Sequence, residues 1–410
     1  MIPTITKTWD QRWAPGIRSV WSRQRVWVLG VAVVLMVLAC LHRSRNEFWR
    51  LLYDSSVDGA VDLIFHHKVV QLWFGGEAVY GRVGTAYPPA SFVILWPFTG
   101  WLDVVAVRWF WAITTVLALV WIIGLIIRAS GAQSKLERLF VALMPLAMYA
   151  TWATVGNGQF IIHLFPGLIA GLAMVARKRN DWGSDVLSAG LLLFTLVKPT
   201  VAAPFFWIVM FVPGRIRVAV LVVLGYVGLS MFAASFQSNG LLELQEQWTR
   251  AGAIGTARGA ATGGHSNLST WLVRMGLKQF NVPASLVVLA MLGYWVYRHR
   301  RADLWMLMGV SALVARLWIY HRLYDDFLLL LPMVTLFRMA KQPSSSDGRD
   351  VTAGVLLAIL WIAALAPARL LVGPWPWNAL FEIGQTTIWI VVLIFLLIRT
   401  RHDRLVGAAP

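Results

Sequence analysis

The sequence predicts an all-α, polytopic membrane protein. Of its 410 residues, 58% are hydrophobic and only 13% are charged, whereas a soluble domain carries about a quarter charged residues. Apolar runs close to the roughly 18 residues that cross a bilayer recur along the chain. Because helices satisfy their backbone hydrogen bonds internally in lipid, these runs are expected to be helical. The same run lengths disfavour an unusually apolar soluble bundle.

Apolar segments follow one another from Val26 to residue 398, and about 10–13 of them are expected to be membrane segments, including short or re-entrant ones. The segment that opens with Pro88-Pro89 is predicted to be re-entrant or tilted and not to cross. The first segment is Val26–Leu41, and the others are residues 88–101, 104–127, 138–155, 159–176, 185–197, 199–212, 215–236, 284–298, 303–319, 323–338, 351–366 and 381–398.

Two neighbouring segments, 185–197 and 199–212, are too short to span ~30 Å separately at ~1.5 Å per residue. The dipeptide Lys198-Pro199 lies between them. We expect a hairpin or a broken helix here. Such irregular backbone survives at membrane depth only where it is buried in protein or lines a polar cavity.

The distribution of basic residues predicts which loops are cytoplasmic. The net charge of +17 comes from 36 Lys and Arg residues against 19 Asp and Glu residues. In a soluble protein this balance suggests nucleic acid, but 22 of the 36 lie in the N-terminal segment and in six short loops. That is the positive-inside pattern, so a lipid bilayer and no nucleic acid is the expected partner. The single cysteine, Cys40, cannot form an internal disulfide.

With the basic loops inside, residues 26–400 form one membrane domain between a basic cytoplasmic segment, 1–25, and a cytoplasmic tail, 401–410. The first span is interpreted as an uncleaved anchor in the cytoplasmic (inner) membrane. Residues 43–87 and 237–283 become the two long outer loops. The remaining polar clusters then also lie at the outer face, namely Gly156–Gln159, Lys198, Gly264–Arg274 and His321–Asp326.

Asp62, in the first outer loop, is the candidate catalytic residue. A carboxylate just outside a membrane can act as general base on a sugar hydroxyl if it is ionised and within hydrogen-bond reach. Asp58 is a rival, because residues four apart share a helical face. The alternative is a solvated acidic loop. His66 and His67 could bind substrate phosphate or sit at the interface; no metal site or cofactor is expected, although a divalent metal stays open.

Lys198 is the one lysine within the apolar stretch 186–212. A cation at membrane depth costs ~2.5–3.5 kcal/mol on insertion scales and is usually functional, and phosphate is its natural partner. Snorkelling to the interface is the alternative. Further cations are predicted to bind the same anion as Lys198, and they are Arg274, Arg316, His321 and Arg322. An Arg–Asp pair within His321–Asp326 and its neighbours is the competing interpretation.

Other polar and aromatic residues of the outer clusters are candidates for substrate binding. Tyr87 joins a rigid Pro pair at the interface, and Gly156–Gln159 forms a tight turn whose amides could hold sugar hydroxyls. A helix start and a plain turn are the respective alternatives. The full predicted set is His66, His67, Tyr80, Tyr87, Asn157, Gln159, His265, Asn267, Tyr324 and Asp325. Together with the cations and Asp62, they describe an anion site beside a base, and an anion at membrane level suggests a lipid phosphate.

Five short motifs occur in a fixed order along residues 62–330, and each is weak alone. They are Asp62 followed by Gly75-Gly76 and Tyr80; Tyr87-Pro88-Pro89; Gly158-Gln159; Lys198-Pro199; and Asn267-x-Ser269 followed by Arg274. In this order they resemble glycosyltransferase family 87, the polyprenol-phosphate-mannose-dependent mannosyltransferases of the GT-C class. The chain departs from the family at His66 and His67, where aromatic residues are common. The long spacing before Asp62 leaves Asp58 as a rival.

The resemblance implies a GT-C-type membrane fold and an inverting hexosyltransferase. A polyprenyl-phosphate sugar, most simply mannose, would be the donor, and a glycolipid or glycan on the outer face would be the acceptor. Asp62 would deprotonate the acceptor hydroxyl, and the phosphate would lie near Lys198. Two alternatives stay open: transfer of another sugar such as arabinofuranose, and a transporter of lipid-linked substrate. A transporter would carry paired helix breaks in two related halves, and no such pair is found.

Overall fold

The computed structural model describes residues 9–177, 181–262, 267–341, 349–366 and 376–407, with positions 370, 373 and 374. The predicted substrate residue His265 lies outside these ranges. Helices make up most of the described chain, and no strand occurs within those ranges. The all-α prediction is therefore confirmed.

The described helices follow the apolar segments closely, and two short 3-10 helices, Lys278–Phe280 and Leu323–Leu329, lie among them. The α-helices are α1 (Trp9–Leu52), α2 (Val61–Phe74), α3 (Pro89–Thr99), α4 (Val104–Ser130), α5 (Lys135–Ala147), α6 (Tyr149–Asn157), α7 (Ile161–Ala176), α8 (Trp182–Thr195), α9 (Pro199–Phe211), α10 (Ile216–Ala234), α11 (Leu241–Thr262), α12 (Leu268–Arg274), α13 (Asn281–Arg298), α14 (Leu304–Leu317), α15 (Leu330–Ala340), α16 (Arg349–Leu365) and α17 (Trp377–Gly407).

Several of these helices are long and apolar enough to cross a bilayer. Within the described residues there are five, in α1, α4, α10, α13 and α17, and a sixth if α5 and α6 form one bent span. Their apolar outer faces are exposed, as a lipid-facing surface requires; Trp27, Val105 and Ile398 are more than 60% exposed. These helices confirm the prediction of a polytopic membrane protein. The helix α3 has 11 residues, about 16 Å at ~1.5 Å per residue, which is too short to cross alone.

The predicted segment 138–155 is bent, which the sequence analysis did not anticipate. The chain turns by 46° between α5 and α6, because Met148 has an extended backbone. Pro145 lies just before the bend, and a proline weakens the helix around it. The Thr151 hydroxyl donates to the Pro145 carbonyl, and the Trp152 indole donates to the next carbonyl at 2.6 Å. Side chains of α6 thus satisfy the carbonyl groups that the bend leaves free.

The predicted outer loops are largely helical. The first loop contains the end of α1 and all of α2, and the second contains α11 and α12. Trp73 anchors α2: its side chain is fully buried, its indole donates to the Ala233 carbonyl of α10 at 3.0 Å, and its ring packs at a tilt against Phe92 of α3, with centroids 4.6 Å apart. This packing holds the helix that carries Asp62 against the membrane domain.

The turn between α6 and α7 packs directly on α2. Gly158 has a left-handed backbone with φ of +70°, and a Cβ atom there would overlap the Cβ of Leu63. The backbone N–H of Ala60, at the start of α2, donates to the Gly156 carbonyl at 3.2 Å. The glycines of this turn therefore permit a close approach that brings the next residue, Gln159, to Asp62.

We expect Gly158→Ala to lower the free energy of unfolding by about 1–3 kcal/mol, because an L-residue is strained at positive φ and would also collide with Leu63. Thermal unfolding of the purified protein in detergent measures the change. Gly190→Ala is the matched control, because Gly190 is exposed on α8 with open space around it. An unchanged midpoint for Gly158→Ala would show that the turn does not set the α2 position.

Candidate active site

Four separate parts of the chain converge around Asp62. They are the start of α2, the turn between α6 and α7, the break between α8 and α9, and the segment before α15. The half-buried Asp62 carboxylate interacts electrostatically with Arg322, Lys198 and Asp325. The predicted base and the predicted phosphate-binding cations therefore lie together, although they are far apart in sequence.

The backbone just before Asp62 is strained, and a side chain from another helix hydrogen-bonds to it. Ala60 has a φ of 49°, in the left-handed region that a residue with a Cβ rarely adopts. Arg108 of α4 is buried and donates to the carbonyl oxygens of Asp54 at 2.7 Å and Gly59 at 3.3 Å. Strain of this kind persists only where the surroundings enforce it, and it concentrates at functional sites.

The Asp62 carboxylate has an oxygen available to a ligand. Asp62 Oδ2 is buried without a hydrogen-bond partner in the described structure, and the Gln159 side chain interacts with the carboxylate and favours its ionised form. Burial raises the pKa of the Asp62 carboxyl above its ordinary value. The rival Asp58 is exposed, and its carbonyl oxygen accepts from Arg50. The geometry favours Asp62 as the reactive carboxylate.

Asp325 organises the cations. Its Oδ1 accepts from Lys198 Nζ at 2.5 Å, and its Oδ2 pairs with His321 Nδ1 at 3.0 Å and accepts from the Arg322 backbone N–H at 3.2 Å. Asp325 was predicted to bind substrate; the structure shows it positioning three groups that face the site. Burial lowers the pKa of His321, so the neutral ring donates from Nδ1 to Asp325 and leaves Nε2 unpartnered among the described residues.

Aromatic side chains complete this part of the site. The Tyr324 ring is buried and lies 4.7 Å from Lys198 Nζ, an arrangement that favours the ammonium ion. Arg322 is exposed, and its Nε donates to the Tyr320 hydroxyl at 2.9 Å. Tyr87 packs edge-on against His66, with ring centroids 4.8 Å apart. These predicted residues do meet at one place.

Arg316 has a different environment from the other predicted cations. It is 1% exposed, it forms an ion pair with Asp326, and its guanidinium lies 4.7 Å from the Trp389 ring. The Tyr149 hydroxyl also donates to Asp326. The geometry matches the Arg–Asp pair that was the competing interpretation, and the phosphate role predicted for Arg316 gains no support from it.

Other predicted site residues form hydrogen bonds to protein groups. His67 is tied to the Leu102 carbonyl at 2.8 Å, and Tyr80 donates to the Tyr87 carbonyl at 2.7 Å. Asn267 is fully buried, caps α12 and donates to the His321 carbonyl at 3.4 Å. Two more form side-chain pairs elsewhere: Asn157 with Arg50, and Arg274 with Glu382. The predicted substrate and phosphate roles of these residues remain predictions.

Arg108 was missed by sequence reasoning, although a signal was present. It is a cation within the apolar segment 104–127, and the rule that singled out Lys198 at membrane depth applies equally to it. Tyr320 belongs to the polar cluster that the sequence places at the outer face, but no role in the site was predicted for it.

Several buried polar atoms of the candidate site have no hydrogen-bond partner. Asp62 Oδ2, His66 Nε2, Gln159 Oε1 and His321 Nε2 are all buried without a hydrogen-bond partner in the described structure. Buried polar groups are normally paired, and four exceptions in one region indicate a binding site for a polar molecule. In the described ranges, no group of three or more His, Cys, Asp or Glu side chains has metal-ligand geometry.

Adjacent carboxylates give a test of this division of roles. We expect Asp326→Asn to lower the free energy of unfolding by about 3–5 kcal/mol, because it leaves the buried Arg316 charge uncompensated. Asp325→Asn should cost less, because the Lys198 side chain is 11% exposed whereas that of Arg316 is 1% exposed, so solvent can compensate part of the lysine charge. Thermal and denaturant unfolding in detergent compare the two variants. A larger loss for Asp325→Asn would contradict the assignment.

Comparison with known proteins identifies the family of the chain. No curated protein and no solved structure shows significant similarity to the chain. The sequence model of glycosyltransferase family 87 matches residues 85–323, more than half of the chain. The matched range includes Tyr87, Lys198 and His321 and begins after Asp62. The chain is therefore a member of glycosyltransferase family 87.

Proposed function

We propose that this glycosyltransferase moves mannose from a polyprenyl-phosphate donor to a glycolipid or glycan acceptor at the outer face of the cytoplasmic membrane. The observation that carries the proposal is the unpartnered oxygen of Asp62 beside the cations Lys198 and Arg322. A base and a phosphate site side by side are what the transfer of a phosphate-linked sugar to a hydroxyl requires.

In the proposed reaction, Asp62 acts as general base. Its free oxygen removes the proton from an acceptor hydroxyl as that hydroxyl attacks the anomeric carbon of the donor. The glycosidic bond forms while the bond between the anomeric carbon and the phosphate oxygen breaks, with inversion at carbon. Gln159 interacts with the Asp62 carboxylate and favours its ionised form, which the base requires.

The leaving polyprenyl phosphate carries the negative charge that develops. Lys198 and Arg322 are placed to stabilise it. His321 adds a third donor, because an anion beside its unpartnered Nε2 favours the imidazolium form, and Asp325 already holds its Nδ1. No metal is needed for this step as written, since phosphate is a good leaving group. The polyprenyl tail would lie between the apolar helices.

Two alternatives are less well supported. Transfer of another sugar, such as arabinofuranose, would use the same base and cations, and the geometry favours neither sugar. A transporter of lipid-linked substrate would use the α8–α9 break as its binding site. Family membership and the general-base geometry of Asp62 favour the transferase.

We expect Asp62→Asn to slow transfer by roughly 10²–10⁴-fold, the usual contribution of a general base. Label from radioactive polyprenyl-phosphate-mannose is followed into membrane glycolipid by the purified protein in detergent. Asp58→Asn is the matched control, because it removes the rival carboxylate four residues earlier and should keep activity within a few-fold of wild type. Full activity of a folded Asp62→Asn protein would overturn the proposal.

The pH dependence gives an independent test of Asp62. Because burial raises its pKa, the base is lost at a higher pH than for an ordinary Asp, which titrates near ~3.9. We expect kcat/KM to fall on the acid side, with a midpoint above about pH 4. Donor hydrolysis without protein is measured at each pH as the control. A profile that is flat through this region would contradict a titrating Asp62.

A further inference from the structure

A polar cavity of about 690 Å³ lies beside the end of α6, where Asn157 leads into the α6–α7 turn. It is bounded by the end of α1, by α6, and by one residue of the segment that carries the cations. Its volume lies within the roughly 300–1,000 Å³ that is usual for small-ligand sites. Its lining residues are His42, Arg43, Asn46, Glu47, Arg50, Tyr149, Trp152, Ala153, Asn157 and Leu323.

The α1 side of the cavity is a polar stripe that follows the apolar span of the helix. The five α1 residues that line it, at positions 42, 43, 46, 47 and 50, have the spacing of one helical face. A glycine at position 156 leaves space for this stripe, because a Cβ atom there would overlap Glu47 Oε2.

The cavity borders the elements that carry groups of the candidate site. Asn157 lines the cavity, and Gln159, two residues later, interacts with Asp62. Leu323 lines the cavity and follows Arg322 directly. The cavity therefore adjoins the same turn and the same segment that present groups to Asp62.

The two arginines of the cavity already donate to protein groups. Arg43 donates to the carbonyl oxygens of Ala147 and Leu365, at 3.2 and 2.7 Å. Arg50 donates to Glu47 at 2.7 Å and also to Asn157. A phosphate would have to displace these partners, and it would lie beside the Glu47 carboxylate.

The remaining groups suit hydroxyls. In the described structure Glu47 binds Arg50 through Oε2 and Asn157 binds it through its carbonyl oxygen, which leaves Glu47 Oε1 and the Asn157 amide for a ligand. Trp152 adds an aromatic face to the lining. Alternating donors and acceptors with an aromatic surface are the composition of a site for a polar, neutral molecule.

We propose that this cavity binds the sugar headgroup of the acceptor glycolipid, an inference that rests on the proposed transfer reaction. The acceptor then reaches Asp62 from the α1–α6 side, while the donor phosphate occupies the Lys198 side. The two substrates enter from opposite sides of the base, so that the acceptor hydroxyl faces the anomeric carbon away from the leaving phosphate.

Two substitutions test the cavity. Ala153→Phe fills it with a ring and removes no side-chain hydrogen bond, whereas Glu47→Gln removes a charge from its lining. Purified wild type and variants are mixed with a membrane glycolipid extract, and retained glycolipid is measured by native mass spectrometry. Initial transfer rates are measured against both acceptor extract and polyprenyl-phosphate-mannose. We expect at least ~10-fold less retained glycolipid and a ~10-fold higher acceptor KM, equivalent to ~1.4 kcal/mol, with the donor KM unchanged.

Two matched controls separate the cavity from general damage. Ala176→Phe introduces the same ring into a different cavity at the far end of α7, and Glu246→Gln removes an exposed pair with Arg250 on α11, which contributes little. Both should keep wild-type acceptor and donor KM values. An acceptor effect of Ala176→Phe as large as that of Ala153→Phe would overturn the assignment.

The outcomes distinguish this inference from the proposed reaction. A wild-type acceptor KM in Ala153→Phe, a rise in the donor KM alone, or no glycolipid retained by the wild type would overturn the acceptor cavity. If the wild type retains a glycolipid that Ala153→Phe loses, but transfers no mannose to it, the cavity assignment stands and the proposed donor is wrong.

Discussion

A buried ion pair between Lys198 and Asp325 joins two parts of the chain that are 127 residues apart. The break between α8 and α9 presents the lysine, and the 3-10 helix before α15 presents the carboxylate. Each charge would be costly alone in a low-dielectric interior, so each requires the other. Because Asp325 also holds His321, this one carboxylate sets the position of most of the groups that face Asp62.

The adjacent carboxylates Asp325 and Asp326 have different partners. Asp325 points to the site, whereas Asp326 pairs with Arg316 in the interior. A tight 3-10 helix turns successive side chains in different directions, so adjacent carboxylates reach separate partners. The catalytic region is thus built on a buried charge network and does not depend on a single loop.

The Asp62 side of the site depends on close packing of backbone. Gly158 allows the α6–α7 turn to lie on α2, and Arg108 fixes the strained loop before Asp62. The same turn carries Asn157 into the neighbouring polar cavity. Small shifts of this turn would therefore alter both the surroundings of Asp62, the proposed base, and the lining of the cavity. Rigid positioning of this kind favours catalysis because the reacting groups need not reorganise.

The sequence by itself determined the helical membrane class, the break at Lys198, and Asp62 as a candidate, because composition, run length and an isolated cation at membrane depth are local signals. Only the tertiary structure decided which polar residues reach the site. His67 and Asn267 are polar residues in the same clusters as the candidate site residues, but their partners come from distant segments. Long-range packing leaves no local pattern, so a structural pair and a substrate contact are separated only once the helices are placed.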